Sequence, residues 1–173
     1  MLNSSSAGTK TGDALTPLDG RNFHKVKDLS QYFSESALYK YRLHTEIKYF
    51  EMLSKKKLFN IEKFKLALIN KLVDQYNEKE FLKIKQIESK VSHDVKAVEY
   101  YLREKFNTLG LKSLTSYIHL GLTSEDTNNL SYGLMLKEFK DIILVKELMQ
   151  LTSQLHLMAK KYKNIPMLGR TLR

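Results

Sequence analysis

The chain has 173 residues, with no cysteine, only 7 glycines and 2 prolines, and a formal net charge of +10. The lack of cysteine excludes disulfides, thiolate catalysis and cysteine-ligated zinc, and no apolar run approaches the roughly 18 residues that a membrane-spanning helix requires. Few glycines and prolines, together with many Leu, Lys and Glu residues, predict an all-α fold.

The positive charge is spread along the chain. Lysines occur in short groups such as "SKKK" and "LKIK", with glutamates among them, which argues against a dedicated nucleic-acid surface. The charge fits either a soluble, lysine-rich surface or the binding of a small phosphate or carboxylate compound. Residues 1–14 lack the apolar centre of a secretory signal, and we expect them to form a flexible tail.

Spacing of apolar residues predicts a series of helices. Residues 15–26 contain a proline and an Asp-Gly turn signal and predict an ordered loop. Apolar residues three or four apart predict a helix over 34–54, with Ser34 or Ser36 as its N-terminal cap. Three shorter helices are predicted over 61–75, 78–91 and 94–106. Gly110 is expected to end the last of them, and a short helix or turn follows.

The last predicted helix is unusually long. After Thr123 no helix breaker other than Gly133 occurs before Pro166, which predicts a helix of about 40 residues and roughly 60 Å. A heptad seam runs along it through Leu144, Leu148, Leu151, Leu155, Met158 and Tyr162. Other apolar residues form a second face, so the helix needs partners on both sides. Other subunits or a longer protein would have to supply them.

One polar segment, "SHD", stands where a loop enters the fourth helix. Ser92, His93 and Asp94 lie beside backbone N–H groups and the positive end of the helix dipole, an arrangement that binds anions. His93 next to Asp94 is the nearest approach to a proton-transfer pair in the chain. An ordinary N-terminal cap followed by an exposed histidine explains the same pattern.

A second polar segment, "TSEDTNN", starts the long helix. Thr123 and Asp126 have the spacing of a capping box. Capping needs only one of the hydroxyls of Thr123 and Ser124, and it does not need the two asparagines that follow. The segment is therefore either a helix cap or a binding loop with the same geometry.

Two further features complete the candidate residues. Arg21 lies in a glycine-containing loop, where a guanidinium can bind phosphate or carboxylate through two parallel hydrogen bonds, although a surface arginine is an equally simple explanation. The spacing of the histidines matches no metal site. His119 could belong to the core.

Taken together, these segments resemble a known family. "LTPLDGRN", "SHDVKAVEYYLREK", "IHLGLTSEDTNNLSYGLMLK" and "NIPMLGRT" occur in the order and spacing of the adenylosuccinate lyase family, within the fumarase/aspartase superfamily. The resemblance covers 15–171 and corresponds to the N-terminal portion of that family. It implies an all-α fold with a small N-terminal helical domain over 15–118, followed over 119–173 by the start of the central helical bundle.

The resemblance implies a β-elimination that releases fumarate from adenylosuccinate, leaving AMP, and from the succinylcarboxamide ribotide of the same purine pathway. Its motifs assign substrate contacts residue by residue. The phosphate-contacting loop corresponds to Arg21 and Asn22, and the carboxylate-binding loop to Thr123 and Ser124. The remaining substrate contacts are Ser92, His93 and Asp94, with His93 in a supporting catalytic role.

The chain also departs from the family pattern. Asn22 stands where tyrosine is usual, and Ser92 replaces the common asparagine. Leu172 occupies the position of the general-acid histidine, and the catalytic serine loop does not occur in these residues. The resemblance therefore implies a fragment without the main acid and base, which we expect to be inactive alone.

The family further implies a cytoplasmic homotetramer acting on a small molecule, with no cofactor, metal, nucleic acid or membrane partner. Two alternatives remain open. One is another fumarate-releasing lyase of the superfamily, such as argininosuccinate lyase or fumarase. The other is a non-catalytic helical interaction module, which the leucine at position 172 favours.

Overall fold

The computed structural model describes residues 14–169, in which every regular element is helical and no strand occurs. The all-α prediction is thereby confirmed. Nearly all of the predicted tail, and Leu172 with its neighbours, lie outside the described residues. The α-helices are α1 (Phe23–Val26), α2 (Ser30–Phe33), α3 (Glu35–Lys55), α4 (Lys63–Asp74), α5 (Glu78–Val91), α6 (Asp94–Thr108), α7 (Ser124–Phe139) and α8 (Val145–Tyr162).

The chain divides into two compact units, one ending at Met135 and one beginning at Leu136. The predicted domain boundary at residue 118 rests on the family resemblance and stays a prediction. A 3₁₀ turn, Lys112–Tyr117, precedes α7, and a π-helical turn, Lys140–Leu144, connects α7 to α8.

The core of the first unit is built on α3. This helix places fully buried apolar side chains at helical intervals, and Tyr39, Leu43, Ile47 and Phe50 are each at most 2% exposed. They pack against residues of α4, α5, α6 and the 3₁₀ turn. Burial of each large apolar side chain contributes about 1.5–3 kcal/mol. The rest of the first unit is therefore arranged around α3.

Polar side chains define where three helices begin. Ser34 Oγ accepts a hydrogen bond from the Ala37 N–H at 3.1 Å and caps α3, as predicted. Asn77 Oδ1 accepts from two backbone N–H groups at the start of α5, and His93 caps α6. Each cap satisfies N–H groups that have no partner within the helix.

Two helices end in the same motif with different residues. Gly110, two residues after the end of α6, has a φ of 70°, and the Leu111 N–H donates to the Phe106 carbonyl at 2.8 Å. This confirms the predicted glycine stop and is a Schellman motif. α3 ends in the same way, with the Leu58 N–H donating to the Leu53 carbonyl at 3.2 Å. There the left-handed residue is Lys57, with a φ of 63°.

The segment predicted as a loop over 15–26 is partly helical. The Thr16 N–H donates to Asp19 Oδ1 at 2.7 Å, which closes a turn, and the chain then continues into α1. The turn residues match the prediction, but the short helix was not foreseen because four residues are too few to show a periodicity.

The second unit consists of the end of α7, the π-helical turn and α8. Its apolar side chains are mostly exposed, including Leu148, Leu151, Leu155, Leu157, Met158 and Tyr162. The predicted apolar seam is thus present, and its side chains are exposed among the described residues. None of the helices between residues 14 and 169 is both long and apolar enough to cross a membrane.

Candidate functional site

His93 joins the two predicted polar segments. Its Nδ1 accepts the Lys96 backbone N–H at 3.2 Å, so the neutral ring carries its proton on Nε2. Nε2 lies 3.3 Å from Ser124 Oγ and donates to it. The starts of α6 and α7, which are 31 residues apart in sequence, therefore meet at these two side chains.

Asp94 is held as an ionised acceptor beside His93. Its Oδ1 accepts the Val95 N–H at 2.8 Å, and its Oδ2 binds Arg42 Nη2 at 2.6 Å. Burial opposes ionisation, but these two donors outweigh it and lower the pKa of Asp94. Asp94 Oδ1 is 3.6 Å from His93 Nδ1, too far for a hydrogen bond. The structure thus pairs Asp94 with Arg42 more closely than with His93.

The capping box at the start of α7 is formed as predicted. The backbone N–H and the hydroxyl of Thr123 donate to Asp126 Oδ2 at 2.7 and 2.8 Å. The Asp126 N–H returns to Thr123 Oγ1 at 3.4 Å. The Thr123 backbone and hydroxyl donors together lower the pKa of Asp126. Since the hydroxyl proton of Thr123 is already used, Ser124 is the freer donor of the pair.

The inner face of "TSEDTNN" explains its excess of polar residues. Thr127 is fully buried, and its hydroxyl donates to Glu46 Oε1 at 2.8 Å. Asn128 Oδ1 accepts from Arg42 Nε at 2.9 Å. Thr123 and Asp126 therefore cap α7, while Thr127 and Asn128 bind side chains of α3. These two roles use different residues of the segment.

Arg42 and Glu46 are site-supporting residues that the sequence analysis missed. They lie one turn apart on the buried face of α3 and are 3% and 2% exposed. The sequence does contain a signal for them, since two charged residues four positions apart lie on the same helix face as Leu43 and Ile47. Charged residues are almost never fully buried unless they are paired, so this position pointed to partners elsewhere in the chain.

Glu46 also holds the loop that leads into α7. Its Oε1 accepts from His119 Nδ1 at 2.6 Å, and His119 has a left-handed φ of 59°. Glu46 Oε2 is buried and has no hydrogen-bond partner among the described residues. The predicted core histidine is thus a half-buried residue that is paired with a buried carboxylate.

Ser92 ends α5 in a strained conformation. Its φ is 54°, and its N–H donates to the Glu88 carbonyl at 2.7 Å. Asparagine adopts the left-handed region several-fold more readily than most residues. The serine therefore costs backbone energy at a position where the resembling family usually has asparagine. Its hydroxyl is exposed at the edge of the His93 site.

Arg21 and Asn22 lie apart from these contacts. Arg21 is exposed and lines a surface cleft of about 280 Å³ together with Thr16 and Gly20. Asn22 precedes α1, and its N–H donates to the Pro17 carbonyl at 3.0 Å. Among residues 14–169, neither Arg21 nor Asn22 shares a hydrogen bond with His93, Asp94 or Ser124. The same residues contain no group of three side chains suited to holding a metal ion.

Comparison with known proteins adds an independent line of evidence. The sequence model of a family described as lyase matches residues 20–172. The adenylosuccinate lyase of Legionella pneumophila strain Corby is 40% identical over 164 residues, which are 92% of this chain and 36% of that protein. The adenylosuccinate lyase of Dictyostelium discoideum is 42% identical over 171 residues, covering 91% of this chain and 36% of its own length. That of Escherichia coli K12 is 36% identical over 163 residues, again 91% of this chain and 36% of that protein. The chain thus spans about a third of the length of these relatives.

Proposed function

This chain belongs to the lyase family, and from that premise we propose that it is the N-terminal part of an adenylosuccinate lyase. The reaction removes a proton from the succinyl carbon, breaks the carbon–nitrogen bond with a proton delivered to the departing nitrogen, and releases fumarate, leaving AMP or the corresponding ribotide. The observation that carries the proposal is the contact between His93 and Ser124. It joins the two polar segments through which the chain resembles the enzyme.

Ser124 binds a carboxylate of the succinyl group. Its Oγ accepts from His93 Nε2, so the hydroxyl proton is free to point at the substrate. The first backbone N–H groups of α7 have no partners within the helix, and the positive end of the helix dipole adds to their attraction for an anion. Thr123 supports this arrangement by holding the capping box.

His93 acts as a neutral, oriented donor. The Lys96 N–H fixes its Nδ1 as an acceptor, which leaves the proton on Nε2 for the site. Donors that are already in place before charge develops on the carboxylate next to the deprotonated succinyl carbon lower the barrier to elimination. This supporting role fits a site whose main acid and base lie outside the residues described here.

Arg21 is the phosphate contact in this proposal. It is exposed in a turn that Asp19 closes, and a guanidinium matches the geometry of phosphate oxygens. The turn carries asparagine at position 22. We propose that Asn22 and Ser92 fill substrate-facing positions with amide and hydroxyl groups.

The enzyme is a cytoplasmic homotetramer in this proposal. The exposed apolar side chains of α8 support association with other copies and with the rest of the protein, because monomers rarely leave such continuous apolar surface uncovered. The 173-residue chain alone is expected to be inactive.

A hybrid enzyme tests the proposal. Residues 15–169 of this chain replace the matching segment of the Legionella pneumophila relative, which keeps its remaining sequence. We expect the hybrid to cleave adenylosuccinate, which is measured as the loss of substrate absorbance. Ser124→Ala should reduce turnover by about 100-fold. Ser89→Ala, an exposed serine on α5, is the matched control and should leave the rate unchanged.

Two outcomes would contradict the proposal. A folded, assembled hybrid that loses no activity with Ser124→Ala would remove the assigned role of the α7 start. Measurable turnover by the 173-residue chain alone would show that the missing acid and base are not required.

The exposed face of α8 favours one second candidate, a non-catalytic helical interaction module. Addition of AMP separates the two proposals in a thermal-shift measurement on the hybrid. A substrate-binding protein gains stability with ligand concentration, whereas a pure scaffold shows no shift in Tm.

A further inference from the structure

We infer that Arg42 is a positioning residue that sets the contact between His93 and Ser124; its catalytic meaning rests on the proposed lyase function. Arg42 touches neither of those side chains. It binds Asp94, which follows His93 on α6, and Asn128, which lies one turn after Ser124 on α7. Arg42 therefore acts on the site indirectly, by holding together the separate helices that carry it.

The geometry is that of a fork between two helix starts. Arg42 Nη2 binds Asp94 Oδ2 at 2.6 Å, and Arg42 Nε donates to Asn128 Oδ1 at 2.9 Å. Asp94 immediately follows His93, and Asn128 lies one turn after Ser124. One planar group thus ties both helix starts to the rigid core helix α3.

Glu46 and Thr45 of α3 also bind α7, through Thr127 and Ser131, but among residues 14–169 neither of them bonds to the start of α6. The remaining hydrogen bond between the starts of α6 and α7 is the contact between His93 Nε2 and Ser124 Oγ, at 3.3 Å. That bond is long and its two side chains are partly exposed, so it cannot hold the helices by itself. The alignment of the site therefore depends on a group beneath it.

An arginine suits this role better than a lysine. Its donors diverge in a fixed plane, so a single side chain reaches two acceptors on different elements, whereas an ammonium is a single point of charge. The guanidinium is 3% exposed and stacks over the Tyr39 ring, with 5.2 Å from Cζ to the ring centroid. This packing keeps the fork in one orientation.

Arg103 provides a matched control. Its Nε and Nη2 both bind Glu99 Oε1, at 2.9 and 2.7 Å. Both residues lie on α6, so this arginine makes a comparable charge pair without connecting two helices. Loss of an ion pair alone should therefore affect Arg103 and Arg42 variants alike, and loss of positioning should affect only Arg42 variants.

The first experiment measures the spacing of the helix starts directly in the 173-residue chain. The chain contains no cysteine, so Tyr100→Cys and Glu125→Cys provide two unique attachment points for spin labels on α6 and α7. Both positions are exposed. Pulsed electron paramagnetic resonance then gives the distance distribution, with unlabelled chain added in excess to remove signals between copies.

We expect Arg42→Gln and Arg42→Lys to broaden this distribution and Arg103→Gln to leave it narrow. Asn128→Ala removes only the α7 arm of the fork, leaves Asp94 paired, and should broaden the distribution as well. It is the milder variant that decides the question if the Arg42 variants fail to fold. An unchanged distribution in Asn128→Ala, or equal broadening in Arg103→Gln, would overturn the inference.

The second experiment uses the hybrid enzyme. Misplacement of reacting groups by about 1 Å can lower the rate by about 100-fold, so Arg42→Gln should lower kcat by about 10- to 100-fold. KM should change much less, because the proposed phosphate contact lies in the separate Arg21 turn. A fall in expression or Tm with unchanged kcat would show a structural role only.

The two experiments separate the inference from the proposed function. Broadened distances in the Arg42 variants of the 173-residue chain, together with a hybrid that never cleaves adenylosuccinate, would retain the positioning role of Arg42 and reject the lyase assignment. Unchanged distances, together with an active hybrid that requires Ser124, would support the lyase assignment and reject the positioning role of Arg42.

Discussion

At the scale of single residues, Glu80 is the clearest case of a carboxylate held in its charged form. It accepts from the Tyr101 hydroxyl at 2.6 Å and binds Lys83 and Lys105 at 2.7 and 2.8 Å. Burial alone would raise its pKa, but these donors outweigh burial and lower the pKa of Glu80 to about 2. The group therefore links α5 and α6 through charge.

This pKa predicts a pH dependence of stability. A carboxyl group with a lowered pKa stabilises the folded state above its ordinary value of 4.5, and this stabilisation is lost as the pH falls from there to about 2. The loss amounts to at most about 3 kcal/mol. Urea unfolding at pH 7 and pH 3 should show a smaller difference in Glu80→Gln than in the parent chain.

Glu78 is the control for this prediction. It lies in the same first turn of α5 and is exposed, so Glu78→Gln should keep the acid sensitivity of the parent. An equal change in both variants would show that the helix dipole, rather than the partners of Glu80, causes the effect.

The capping box at the candidate site could be predicted from the sequence, whereas the partners of the buried charges beneath it could not. His93, Thr123 and Asp126 belong to local patterns, in which a cap and its helix are neighbours in the chain. Arg42 and Glu46 act on residues 86 and 81 positions away, respectively. Spacing rules do not reach that far, so only the packed structure shows what these buried charges bind.

At the scale of elements, the helix bounds were predicted most closely where caps and stops are strong. The third predicted helix coincides with α5, which Asn77 caps. The π-helical turn Lys140–Leu144 was not predicted. A π-turn inserts one extra residue into the helix, and this shift cannot be recognised in an apolar pattern that already covers two faces of the helix.

The two Schellman motifs give a paired prediction. Lys57 and Gly110 occupy the same left-handed position, with φ of 63° and 70°. Because a Cβ costs about 1–2 kcal/mol in this region, Lys57→Gly should raise the free energy of unfolding by about 1 kcal/mol. Gly110→Lys should lower it by a similar amount, measured by urea denaturation.

The Lys57 and Gly110 variants together test whether the left-handed backbone causes the change in stability. Among the described residues, none beyond the chain neighbours of Gly110 has a heavy atom within 4 Å of a Cβ added there, so a clash cannot explain a loss. If Lys57→Gly proved destabilising while Gly110→Lys was neutral, the left-handed backbone would not be the controlling factor.

At the scale of the whole molecule, the second unit carries exposed leucines and methionines in a chain with a net charge of +10. We expect the 173-residue chain to self-associate through α8. Leu151→Lys with Leu155→Lys should shift it toward monomer in sedimentation velocity, because the two charges interrupt the apolar seam.

A matched variant identifies the surface responsible. Leu82 is also an exposed leucine, on α5, and Leu82→Lys should leave association unchanged. A chain that sediments as a monodisperse monomer before any substitution would contradict the prediction.

The long separation between Arg42 and Asn128 also has a consequence in time. The two residues are 86 positions apart, and ribosomes add about 5–20 residues per second. On the order of 4 to 17 s therefore pass between the synthesis of Arg42 and the arrival of Asn128. During this interval the buried charges of α3 must stay hydrated. The nascent chain thus completes its site late, and a slow codon stretch between the two positions would prolong the period in which the core helix is open to chaperones and proteases.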